Sequence, residues 1–138
     1  MTKIDILMNM SKSGQWLVDL IVKIGNKKVP VRFKLDTGCN GVALSHKTLR
    51  NFGISTDEST LSKLTDEVVM LASGERSDFK KLGKIAIYRG TSKICDTKAV
   101  CHIKNQTNNL LGTEVFNQFA QVRFILDKGE EYMELTRR

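Results

Sequence analysis

The sequence predicts an all-β, mainly antiparallel domain with one or two short helices, on three observations. Apolar residues alternate with polar ones in short runs, the period of half-buried strands. Glycine-containing turns separate those runs. Ten Gly stand against a single Pro, Pro30, a balance that suits a turn-rich sheet protein without disordered linkers.

From Leu17 to Leu35 the pattern is a β-hairpin. Val18, Leu20, Val22 and Ile24 alternate to one face, Gly25-Asn26 begins the turn, and Val29, Val31, Phe33 and Leu35 alternate back. Gly and Asn tolerate the positive φ that tight hairpin turns require. "ALSHKTLRNFGI" follows as a short helix, with Ser45 as N-cap and Gly53 as stop signal. Residues 55–66 are polar and read as loop.

"DEVVMLASGERSDFKKLGKIAIY" is a second hairpin turning near Gly74, its return arm carrying Phe79, Leu82, Ile85 and Ile87. "KICDTKAVCHI" reads as a further strand, with Cys95 and Cys101 on one face. After the polar "KNQTNN", the stretch "LLGTEVFNQF" combines an apolar pair, a Gly and a short helix. "VRFILDKGEEYMEL" closes the chain as a hairpin around Asp127-Lys128-Gly129. At 138 residues the chain is expected to be one domain, 1–138, with 1–14 as a flexible or peripheral N-terminal segment.

Net charge is +7, from 22 basic and 15 acidic side chains. The excess is spread in pairs such as Lys27-Lys28 and Lys80-Lys81, so it argues for a solvated surface and against a dedicated nucleic-acid site. Cys39, Cys95 and Cys101 are odd in number and lack a C-x-x-C spacing, and neither His46 nor His102 completes a zinc pattern. The expectation is reduced thiols in a cytoplasmic protein, with no metal and no cofactor. "MTKIDILMNMSKSG" carries Asp5 inside its apolar stretch and shows no secretory h-region, and no apolar run approaches membrane-spanning length.

The chemistry-bearing feature is Asp36-Thr37-Gly38 at the end of an apolar strand. A carboxylate there is costly unless it is paired or used. A bare Asp-Thr-Gly arises by chance in about one chain in thirty of this length, so its weight comes from context. That context is "LDTG" at a strand end, a mid-chain hairpin with a Gly tip, and "NLLGTEVFNQF…VRFILDKG…MEL". In this order, over roughly residues 17–136, the chain resembles the retropepsin-like, single-domain aspartic proteases.

The resemblance implies a closed acid-protease-like β-barrel and peptide hydrolysis by a water held between two carboxylates. It makes Asp36 the catalytic acid/base, Thr37 the residue locking the loop to its counterpart, and Gly38 a point of close approach. Asn40 and a flap tip of Ala72, Ser73, Gly74 and Glu75 would contact the polypeptide substrate. Leu110, Leu111 and Gly112 would pack behind the loop. Two departures stand out. Cys39 occupies a position where relatives carry Ala or Ser, and a thiol is the poorer donor; Asn40 stands where many relatives place Asp or Ser.

The chain holds no second Asp-Thr-Gly or Asp-Ser-Gly, and "LDKG" at 126–129 replaces the hydroxyl residue by Lys128. The second acid must therefore come from another copy across a two-fold axis, making a homodimer a requirement of the mechanism. The alternative is a non-catalytic dimerisation or peptide-binding module on the same fold. A Cys39–His46 protease is disfavoured, because His46 is expected to be exposed on its helix with nothing to orient it. Trp16, Tyr88 and Tyr132 read as core or interface aromatics.

Overall fold

The computed structural model describes residues 2–70, 76–104, 108–127 and 129–138. Its strands are β1 (Lys3–Met10), β2 (Trp16–Ile24), β3 (Lys27–Leu35), β4 (Val42–Ala43), β5 (Asp66–Met70), β6 (Arg76–Arg89), β7 (Ser92–Cys101), β8 (Asn109–Leu111), β9 (Phe119–Asp127) and β10 (Glu130–Arg137). Short helices α1 (His46–Asn51), α2 (Glu58–Leu61) and α3 (Thr113–Phe116) interrupt them. Most of the described residues lie in strands, as the alternating patterns predict.

Six strands close on themselves. β2 pairs with β3, β3 with β8, β8 with β4, β4 with β7, β7 with β6, and β6 returns to β2. β2 makes the closure possible by dividing one edge, giving Trp16–Val18 to β1 and Ile21–Lys23 to β6. The β3–β8 and β4–β7 contacts are parallel and the remaining pairings antiparallel. Closure turns the inner faces into one core, in which Val18, Val22, Phe33 and Ile87 are wholly buried. Each such side chain contributes about 1.5–3 kcal/mol by leaving water.

The β2–β3 hairpin turns on Gly25-Asn26, with Ile24 opposite Lys27. Gly25 has φ +59° and Asn26 does not share the positive sign, the pattern of a turn whose first central residue must be Gly. Ser45 caps α1 by accepting from the Thr48 amide at 3.2 Å, and Gly53 at φ +78° ends it.

Three expectations need correction. Residues 3–10 are not a peripheral segment: they form β1, held between β2 and β10. Asp5 breaks the apolar run, but a period of two sends it to the outer face while Ile4, Ile6 and Met8 enter the core. The stretch 55–66 is not all loop, because Leu61, fully buried, anchors the short α2. Helices therefore number three among the described residues, one more than expected.

Asn109, at the start of β8, ties three elements together. Its Oδ1 accepts from the Ser45 amide at 2.8 Å and the Thr48 hydroxyl at 3.0 Å, and its Nδ2 donates to the Arg32 carbonyl at 3.1 Å. Asn109→Ala removes all three bonds and strands partly buried partners. It is expected to cost about 2 kcal/mol, seen in a thermal melt as a drop of roughly 5 °C. An unchanged midpoint would contradict this role.

Candidate active site

The topology determines where Asp36 stands. β3 and β4 flank β8 on either side, so the chain from residue 36 to 41 must arch over the end of β8. β8 holds both feet of the arch: Leu35 is opposite Leu111, the Asp36 amide donates to the Leu111 carbonyl at 3.1 Å, and Val42 lies opposite Leu111 from the other side. Asp36 emerges half-buried, with Thr37 and Gly38 exposed beyond it. The turn is tied by the Cys39 amide donating to the Asp36 carbonyl at 3.1 Å and the Gly38 amide donating to Asp36 Oδ1 at 3.2 Å.

Gly112 fills the space under the arch. A Cβ there would stand 2.3 Å from the Gly41 carbonyl oxygen and 2.4 Å from that of Cys39, far inside contact distance. The first amides of α3 lack intrahelical acceptors, and the arch supplies them: Thr113 N–H donates to the Cys39 carbonyl at 2.9 Å and Glu114 N–H to the Asn40 carbonyl at 3.0 Å. "LLG" before the helix therefore packs behind the loop through backbone contacts as well as through buried leucines.

A second small apolar cluster supports the loop. Cys39, Ala43, Val100 and Leu110 meet Val69 of β5 and Phe79 of β6, and the Val69 side chain lies 3.7 Å from the Cβ position of Gly41. The β5–β6 hairpin thus packs directly against the arch. Its tip residues Ala72, Ser73, Gly74 and Glu75 lie outside the described residues.

Cys39 is 1% exposed. Its thiol points to the Gly41 carbonyl at 3.7 Å, and burial first, then the Asp36 and Glu114 charges, push its pKa up despite that bond. It is a packing group in this state. Burial likewise raises Cys95 and Cys101 to about 11, so neither thiol is a nucleophile near neutrality. Both point inward from one face of β7, as the spacing predicts.

His46 corrects its expectation. It is 4% exposed, and its Nε2 lies 2.7 Å from the His102 carbonyl, a structural tie between α1 and the end of β7. Asp127, in "LDKG", ends β9 in a hairpin. Among the described residues no group of three or more His, Cys, Asp and Glu is placed to hold a metal, and no helix is long and apolar enough to cross a membrane.

Sequence reasoning missed Glu114. It shares a small recess with Asn40, Gly41, Glu67 and Lys98, and its carboxyl is raised, first by burial and then by the Glu67 charge. Its position at the start of a helix behind the loop was the available signal. Asn40 itself is exposed on the arch.

A family model described as "Aspartyl protease" matches residues 20–115, the stretch from the first barrel strand to α3. The chain belongs to the aspartyl protease family. Among solved structures, a retropepsin-like aspartic protease from Rickettsia conorii is similar over 97% of this chain and 91% of that one, with a TM-score of 0.63 at 18% identity. At that identity the likeness establishes the retropepsin-like fold. No curated protein matches the sequence. Within this family fold, the Asp36 arch sits on β8 and the β5–β6 hairpin leans against it.

Proposed function

We propose that this retropepsin-like chain is an aspartic endopeptidase that cleaves polypeptides as a homodimer, with Asp36 contributed by each subunit. The observation that carries the reading is the half-buried Asp36 on an arch held by backbone bonds from β8 and α3. Such a frame holds the carboxylate in place through the backbone: among the described residues no basic side chain is ion-paired with Asp36, and its Oδ1 accepts from the Gly38 amide at 3.2 Å.

Two carboxyls brought together over one water cannot both ionise, which is general for aspartic proteases. One ionised Asp36 takes a proton from the water as it attacks the peptide carbonyl. The other, protonated, donates to the carbonyl oxygen, and the shared proton then serves the leaving amine. Thr37, exposed beside Asp36, faces the position of the second arch, and Gly38 lets the two backbones approach. Asn40 and the 72–75 tip are the proposed contacts to the peptide, with the β5–β6 hairpin closing over it to exclude water.

The test is cleavage of an unfolded polypeptide by the purified chain over a range of enzyme concentrations. Activity per subunit should rise with concentration until the dimer is saturated. An intact dimer that leaves every unfolded substrate whole would instead favour a non-catalytic binding module.

A further inference from the structure

A cavity of about 340 Å³ opens beside the arch, walled by β3, the start of β8 and the start of α1. Asn109 makes that wall rigid through its bonds to Ser45, Thr48 and the Arg32 carbonyl. The charge of the cavity is one-sided. Arg32, Lys34 and Lys47 line it, and among the described residues no acidic side chain does.

Register explains the imbalance. Arg32 and Lys34 share the outer face of β3 by the period of two, but their cross-strand neighbours differ. Arg32 stands opposite Asp19, whose two oxygens accept from its Nε at 2.8 Å and its second guanidinium nitrogen at 3.0 Å. Lys34 stands opposite Leu17 on β2 and Leu110 on β8, so neither neighbouring strand offers it a charge. It is half-buried all the same, while Lys47 is exposed on α1. Among the described residues neither lysine is ion-paired. An ammonium partly withdrawn from water is stabilised by an anion that enters its cavity. Lys34 also precedes Asp36 by only two residues, about 7 Å along a strand. A polypeptide lying over the arch therefore carries its flanking side chains within reach of this cavity.

We propose that the cavity takes a carboxylate side chain of the polypeptide being cleaved, held between Lys34 and Lys47, so that acidic segments are the favoured substrates. The net charge of +7 draws such segments in from longer range. This inference rests on the endopeptidase reading above and names the charge class of its substrate.

The experiment is calorimetric titration of the full Asp36→Asn chain, which holds a peptide without cutting it, with two synthetic peptides. One alternates Glu with Leu, and its twin carries Gln for every Glu. The Glu peptide should bind about tenfold or more tighter, and the preference should shrink as salt is added. Lys34→Gln with Lys47→Gln should reduce it to within about threefold. Lys47→Gln alone, on an exposed side chain that the fold does not need, should already cost about threefold. Lys27→Gln with Lys63→Gln removes the same charge from exposed positions outside the cavity and should leave the preference in place. Equal affinity for the two peptides overturns the cavity's role, and so does a preference that survives loss of Lys34 and Lys47 or falls as far in the Lys27 and Lys63 control. Cleavage by the wild-type chain separates this inference from the reading beneath it. The Glu peptide should be cut with the lower KM and a kcat within about twofold of its twin's. Cleavage without any preference for Glu overturns the cavity's role and leaves the endopeptidase reading standing. Preferential binding by a chain that cuts neither peptide nor any unfolded polypeptide overturns that reading and leaves the carboxylate site.

Discussion

Asp36→Asn is expected to reduce polypeptide cleavage by about 10³-fold or more while leaving the fold and the dimer intact. The asparagine keeps the size of the side chain, and its carbonyl oxygen can still accept from the Gly38 amide, which donates to Asp36 Oδ1 at 3.2 Å. The backbone bonds that hold the arch, from Asp36 N–H to Leu111 and from Thr113 and Glu114 to Cys39 and Asn40, do not involve the side chain. What is lost is the proton chemistry, since an amide neither takes a proton from water nor gives one to a carbonyl at useful rates. The variant should therefore melt within about 2 °C of wild type and sediment as wild type does. Retained cleavage would remove Asp36 from the mechanism.

The largest structural effect is expected at Gly112. Its φ of −100° and ψ of −171° suit any residue, so the requirement for glycine is one of space. An added methyl would meet the Gly41 and Cys39 carbonyl oxygens at 2.3 and 2.4 Å, and both are backbone atoms of the arch that cannot rotate aside. Gly112→Ala should cost about 3 kcal/mol and displace the Cys39 carbonyl, which also receives the Thr113 amide of α3. Activity should fall with stability, and cooling the variant to restore folding should not fully restore cleavage, because the arch remains displaced. A variant that melts like wild type would show that β8 and the arch are not in the contact described.

Strand identity was legible wherever the period of two was uninterrupted. Val18, Leu20 and Val22 against Val29, Val31 and Phe33 needed no tertiary information, and Ser45 signalled its helix by the chemistry of its hydroxyl. β1 was harder because Asp5 interrupts its apolar run, and only the pairing with β10 shows that Asp5 belongs to the outer face. His46 was misjudged because a helix of six residues has too little pattern to show which face is covered; the strand end that buries it lies at His102, far along the chain. The parallel β3–β8 contact is equally non-local, joining residues 33–35 to 109–111. The Asp36 strand end could be found from sequence and Gly112 was expected behind its loop, but the close contact of Gly112 with the arch could not be read. Its distances arise from two loops that share no local signal, and Glu114 stayed hidden with it.

Mixing wild-type chain with Asp36→Asn chain at constant total concentration tests the central claim most directly. If each active centre needs one Asp36 from each of two subunits, mixed dimers are inactive, and cleavage should fall as the square of the wild-type fraction. Half wild-type chain should then leave about a quarter of the activity. A strictly linear fall, measured under conditions where subunits exchange freely, would show that a single chain carries a complete site and would contradict the account.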